Sequence, residues 1–194
     1  MEYRRRDDAR VSRMREIHLS AFRRCRHTGR HIALVDDIDY EWAGELNWSA
    51  DCSKRATLLV YAVRRIRRSN GTTSKSYMHR EIFARAYGAI PDGIGIDHRD
   101  NGIVSGLDNR RANLRLADET LNLANARRRG DNTSGYRGVS WSRHLGRWEA
   151  YIDFHRRRTR LGAFDSVEDA AAAYDAAAIR IFGEYARLNL KRLT

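Results

Sequence analysis

The sequence predicts an α+β protein of two modules. The first is a strand–strand–helix core preceded by a small antiparallel β region; the second is a three-stranded antiparallel sheet packed on one helix. Three observations predict it. Short β-like segments separated by polar turns begin at His31, and a strand, loop, strand and helix follow between Gly93 and Arg129. After a Gly/Asn/Ser-rich break at 130–135, three strands precede an alanine-rich helix.

The elements follow in order. Residues 1–30 carry ten arginines against Glu2, Asp7, Asp8 and Glu16. They read as a short basic helix with a weak apolar stripe (Val11, Met14, Ile17, Phe22) or as a flexible arm attracted to DNA, and the charge density favours the arm. "HIALV" is a strand. "LLVYAVRRI" is another, with Tyr61, Val63 and Arg65 alternating against Ala62 and Arg64, and Asn70-Gly71 behind it is a hairpin signal. "YMHREIFARAYG" is a helix ending at Gly88 and stopped by Pro91. "GIGID" and "LDNRRANLRLA" are the core strands, and "DETLNLANARRR" is the core helix. In the last module "YRGVSW", "RWEAYIDF" and "RRTRLGAF" are strands. "SVEDAAAAYDAAAIRIFG" is a helix with Ser166 as N-cap, Asp169 in a capping box and Gly183 at its end. Val167, Ala170, Ala171, Tyr174, Ala178 and Ile181 make its apolar face. The organisation is thus an arm at 1–30, a core module at 31–130 and a terminal module at 131–194.

The formal charge is +12, and only three of 37 basic residues are lysines, which leaves 34 arginines. Codon usage in a GC-rich genome and selection for bidentate phosphate contacts both explain that excess. Either way the charge favours a polyanionic partner. No apolar run approaches the roughly 20 residues of a membrane span, and no signal-peptide pattern opens the chain. The expectation is a cytoplasmic monomer, in a bacterium or a phage-infected cell, that uses no membrane and no small-molecule cofactor. Cys25 and Cys52 have no zinc spacing and read as reduced thiols.

The chemistry concentrates around Asp97-His98. Singly, Asp97, Asn109 or Asn113 read as turn and cap residues; the order of elements around them raises the set above that. Asp97 offers a carboxylate and Asn122 an amide oxygen, hard ligands suited to magnesium, with manganese the alternative. Such an ion neutralises charge building on a phosphodiester under attack. His98, neutral near pH 7, is the group to take a proton from the attacking water. Asn113 is placed to hold the loop or to orient the histidine. The nine-residue step from Asn113 to Asn122 lets a strand end, turn and enter the helix.

"YMHREIFARAYG…GIDHRDN…LDNRRANLRLADETLNLANAR" resembles the HNH homing endonucleases of phage and bacterial type, over roughly residues 31–130. The resemblance implies a ββα-metal nuclease fold, with Asp97 and Asn122 on a divalent metal, His98 as general base and Asn113 as its support. The loop "RDNGIVSGLDNRRA" is about three residues longer than that pattern, a change a surface loop tolerates. His79 in "YMHR" also matches, either as a phosphate contact or as a helix-start residue packed on the sheet.

In "RWEAYIDF", Trp148, Ala150, Ile152 and Phe154 share one side and Glu149, Tyr151 and Asp153 the other. The first set should pack under the helix, together with Thr159 and Leu161. That leaves Arg137, Trp141, Arg143, Tyr151, Arg158 and Arg160 on an exposed face suited to phosphates and base edges, or simply a solvated arginine face. "GYRGVSW…GRWEAYI…RLGAFDSVEDAAAAYDAAAIRIFGEYARLN" resembles the APETALA/ethylene-response-factor DNA-binding domain over roughly 134–190. That resemblance implies DNA contact at Arg137, and more loosely at Trp141, Arg143, Tyr151, Arg158 and Arg160. Asp153 departs from the plant pattern and is placed to pair with a neighbouring arginine. Arg127–Arg129 either touch DNA or complement the end of the preceding helix.

The combined expectation is a metal-dependent endonuclease acting on double-stranded DNA at a preferred site. A non-catalytic DNA-binding regulator with a relic core, and a packaging protein acting through charge alone, are the rivals.

Overall fold

The computed structural model describes residues 13–21, 31–52, 60–100, 105–125 and 132–190. Two compact units divide the chain, Met1–Leu116 and Ala117–Thr194.

In the first unit, strand β1 (Met14–His18) pairs antiparallel with β3 (Ile32–Asp36). Strands β2 (Ser20–Ala21), β4 (Ser49–Asp51), β5 (Tyr61–Arg67) and β6 (Thr73–Tyr77) form a four-stranded sheet in that order. Met14–His18 therefore departs from the flexible-arm expectation: Ile17 is buried in the core, and the pairing that orders it comes from a distant strand. The rest of the arm, 1–12 and 22–30, lies outside the described residues. Helix α1 (Asp37–Gly44) was not foreseen. Its buried positions are Asp39 and Ala43, so no apolar stripe announces it.

Asn70-Gly71 turns β5 into β6 as expected, with Gly71 at φ 79°. The alternation expected along β5 fails, since Ala62 and Val63 are both buried. This stretch is covered on both faces, as an interior strand between β4 and β6 permits. Helix α2 (Met78–Tyr87) buries Met78, His79, Ile82 and Phe83. Arg64 of β5 forks onto Glu81 of α2 with bonds of 2.8 and 3.1 Å. Strands β7 (Gly95–His98) and β8 (Leu114–Ala117) pair as a two-stranded sheet. Trp48, Met78, Ile82, Ile96, Leu107 and Leu114 belong to one buried core.

Cys52, expected as a reduced thiol, is disulfide-bonded. The chain's other cysteine, Cys25, lies outside the described residues. Spacing along a chain does not reveal such a bond, because proximity in the fold decides it.

The second unit contains α3 (Glu119–Asn125), the antiparallel strands β9 (Val139–Ser142), β10 (Arg147–Phe154) and β11 (Arg157–Phe164), and helix α4 (Val167–Phe182). The compact division falls after Leu116 rather than at the 130–135 break because Leu121 and Ala124 of α3 pack with Tyr174, Ala177 and Phe182 of α4. Helix α4 is built as its sequence dictates: Ser166 Oγ accepts from Asp169 N at 3.0 Å, and Gly183 ends it at φ 55°. Its alanines let Ala150 and Ile152 of the sheet be almost wholly buried. No described helix is long and apolar enough to cross a membrane.

Candidate functional site

In the first unit, β7 ends in the buried pair Asp97 and His98. Arg115 on β8 donates to Asp97 Oδ2 from Nε at 2.9 Å, and its Nη2 lies 2.8 Å from the same oxygen. Both side chains are more than nine-tenths buried. Arg115 was not singled out in the sequence, because nothing local marks one arginine among 34.

His98 sits in an aromatic nest. Its ring centroid lies 5.1 Å from that of His79, edge to face, and 6.1 Å from that of Tyr61. His79 in turn is 5.6 Å from Tyr61 and 5.4 Å from Tyr77. Burial pushes the His98 imidazole below its ordinary range, against the opposing hydrogen bond with the Asn109 side chain and the carboxylates of Asp97, Asp108 and Asp100. Burial pushes His79 well below that range, helped by His98 and Arg80. Both rings are therefore neutral at pH 7. Of the two readings open for His79, the burial of its ring against the sheet's tyrosines is what the geometry displays. Asn109 carries a role the sequence did not reveal: fully buried, it donates to Leu107 O at 3.0 Å and presents its amide to His98.

Asn113 closes the loop that follows His98. Its Nδ2 donates to Asp108 O at 2.8 Å, its Oδ1 accepts from Asp100 N at 2.9 Å, and its own carbonyl accepts from Arg99 N at 2.8 Å. One residue thus ties both ends of the long loop, whose residues 101–104 lie outside the described set. The loop's far end is anchored on the front of the unit. Asn109 N donates to Leu34 O at 2.8 Å, Arg111 N to Asp36 Oδ2 at 2.8 Å, and the Arg111 guanidinium forks onto buried Asp39 at 2.7 and 2.8 Å. Asp36, at the N-cap of α1, and Asp39, in its first turn, are therefore the dock for the site loop.

Asn122 lies on α3, in the second unit, where its Nδ2 donates to Ala117 O at 3.4 Å. No three His, Cys, Asp or Glu side chains cluster as metal ligands among the described residues. Taken singly, a carboxylate such as Asp97 and an amide oxygen such as that of Asn122 are hard donors of the kind magnesium and manganese take.

The terminal sheet separates the six residues assigned to DNA. Tyr151 faces Arg160 and Asp153 faces Arg158 across the β10–β11 ladder. Arg158 forks onto Asp153 at 2.9 Å through both nitrogens, and Arg160 Nε donates to Glu149 Oε1 at 2.7 Å. These pairs hold Asp153 and Glu149 below the usual carboxylate range, chiefly through the arginine hydrogen bonds. Arg143 is exposed in the β9–β10 turn. Trp141 does not share the Tyr151 face. Its register partner is Trp148, at 5.1 Å between rings, so it lies on the helix side of the sheet, where it is 48% exposed. Thr159, expected under the helix, is exposed, as are all of residues 153–160. Leu161, expected there too, does pack against the core under the helix, at the register shift opposite Ala150 and Tyr151. Arg137 also leaves that face: its Nη1 donates to Leu123 O at 3.2 Å and Ala124 O at 2.8 Å. Arg127–Arg129 lie outside the described residues.

The AP2 domain model matches residues 134–184, and the chain carries an AP2 domain, a β-sheet-plus-helix DNA-binding fold. APETALA2-like protein 2 of rice is 44% identical over 69 residues, 34% of this chain but 16% of that protein. Dehydration-responsive element-binding protein 2E of rice is 50% identical over 60 residues, 30% of this chain and 19% of that protein. The likeness to these plant proteins is thus confined to a short part of each. Protein 3.8 of Escherichia phage T7 is 33% identical over 112 residues, 57% of this chain and 88% of that protein. The chain belongs to the family of that phage protein.

Proposed function

We propose that the chain is a metal-dependent HNH-type DNA endonuclease held to a preferred site by its AP2 domain. The observation that carries this reading is His98: an imidazole kept neutral by burial beside Asp97, at the mouth of a loop that Asn113 closes. A neutral imidazole accepts a proton from water as the water oxygen attacks phosphorus. Asp97 and Asn122 would hold the divalent ion, magnesium or manganese, which supplies charge neutralisation on the phosphate and the leaving oxygen. Asn109 and the His79 edge fix the ring of His98. Arg115 holds the Asp97 carboxylate in one orientation. On the other unit, Tyr151, Arg143, Arg158 and Arg160 form the cationic and aromatic face for DNA. The arginines exchange Asp153 and Glu149 for phosphates as they dock, and Trp141 offers an exposed ring at the sheet's edge.

The experiment is cleavage of double-stranded DNA by the purified chain with magnesium or with EDTA, for the wild type and His98→Ala. The reading expects magnesium-dependent cutting that His98→Ala abolishes while DNA affinity stays within about twofold, since binding energy resides elsewhere. Equal loss of binding would remove His98 from the role of base.

One observation favours a second reading, a DNA-binding regulator without catalysis: Arg115 already neutralises Asp97. Binding without any metal-dependent cleavage would establish it.

A further inference from the structure

The nest around His98 has an inner and an outer part. The rings of His98 and His79 are buried, whereas Tyr61 and Tyr77 keep part of their surface in water. Tyr61 neighbours all three of the others. Its ring centroid lies 5.6 Å from that of His79, 6.1 Å from His98 and 6.0 Å from Tyr77, the last edge to face. The two tyrosines are thus the water-facing members of an enclosure whose interior holds the imidazoles.

The site loop also holds the Tyr61 ring. In the turn Ser105–Leu107, a Cβ added to Gly106 would lie 2.4 Å from Val60 O and 2.9 Å from that ring. Glycine is what lets the loop come so close to the start of β5. Alternation along β5 puts Tyr61 and Arg65 on one side of the sheet. The register sets Asp51 of β4 opposite Tyr61, and Lys75 of β6 opposite Arg65. Lys75 reaches across that side to Asp51, at 2.7 Å, so a cation shares the face of Tyr61. Burial, then the Asp97 carboxylate and Tyr77, push the Tyr61 phenol above its ordinary range. At neutral pH it is a hydroxyl that donates.

We propose that Tyr61 is a further catalytic residue: its hydroxyl donates a hydrogen bond to a non-bridging oxygen of the phosphodiester whose attacking water His98 deprotonates. This rests on the nuclease reading and adds to it a group that touches the substrate. The phenol takes and gives no proton. Its bond strengthens as charge builds on the phosphate oxygen. Packing of the ring against His79, His98 and Gly106 fixes the donor before the substrate arrives. A donor fixed in that way favours the transition state over the bound ground state.

The test uses the full chain with Tyr61→Phe, which keeps the ring and its packing and removes only the hydroxyl. On double-stranded DNA with magnesium, kcat should fall by roughly 10- to 100-fold, as for loss of a hydrogen bond to a charged group. KM should stay within about twofold and the urea midpoint should not move. Cleavage by Tyr61→Phe at the wild-type rate would overturn the proposal and leave the ring a packing role. So would a loss of activity matched by a lower urea midpoint. A second readout needs no cleavage. In EDTA, with isotope-labelled tyrosine, a random-sequence duplex should shift the Tyr61 Cζ resonance, which is identified by its absence in Tyr61→Phe. An unmoved resonance would overturn the phosphate contact. If the wild type itself does not cleave, the nuclease reading fails, while that resonance still decides whether Tyr61 meets DNA.

Discussion

His79 and His98 together place two imidazoles in an enclosure that keeps both neutral, one against the edge of the other. An unfolded chain binds those two protons once the pH falls below about 6.5, whereas the fold resists them. The folded pKa values are depressed, so stability is full above pH 6.5 and declines as pH falls. Each ring contributes a slope of up to about 1.4 kcal/mol per pH unit. Urea unfolding at pH 7.5 and 5.5 should show this loss, and His79→Phe should make it shallower. An identical slope in the variant would mean that His79 is not held neutral. At the same scale, Asp97 and His98 were legible because an acid and a histidine adjoin at a strand end. Arg115 and Asn109 were not, because their meaning depends on a partner 18 residues away, or on burial that no local pattern records.

Elements differ in how plainly the chain declares them. Helix α4 was readable to its caps, since Ser166, Asp169 and Gly183 satisfy its termini locally and its alanines recur with helical period. Strand β1 and helix α1 were not, since one is ordered by pairing with β3 and the other by a carboxylate. Asp39 is fully buried and meets Arg111 across 72 residues of sequence. Arg111 is 28% exposed and keeps water when Asp39 is truncated, so losing its charged hydrogen bonds costs about 1.5–3 kcal/mol. Asp39→Ala should lower stability by that amount in chemical denaturation and loosen the 108–113 loop. A loss below about 1 kcal/mol would show that the dock is not needed. In the terminal sheet, β-strand periodicity assigned sides correctly along β10, but Trp141 required the register, which periodicity does not supply. Gly138→Ala should destabilise the second unit by roughly 1–3 kcal/mol through overpacking against Tyr174 and Tyr151, read as a lower melting temperature.

The whole molecule joins a site unit to a DNA-binding unit within a chain of charge +12. Binding dominated by phosphate contacts loses affinity linearly in log salt, and each contact removed lowers the slope by about one. Arg158→Ala with Arg160→Ala should therefore weaken binding and flatten the salt dependence by about two. An unchanged slope would take that sheet face out of the interface. The central claim, that this chain cuts the DNA it binds, is tested most directly by sequencing the ends produced from pooled double-stranded DNA with magnesium and with EDTA. The account predicts new ends at a shared sequence, present with magnesium, absent in EDTA and absent for His98→Ala. Binding with no new ends under any of these conditions, or ends indifferent to His98, would contradict it.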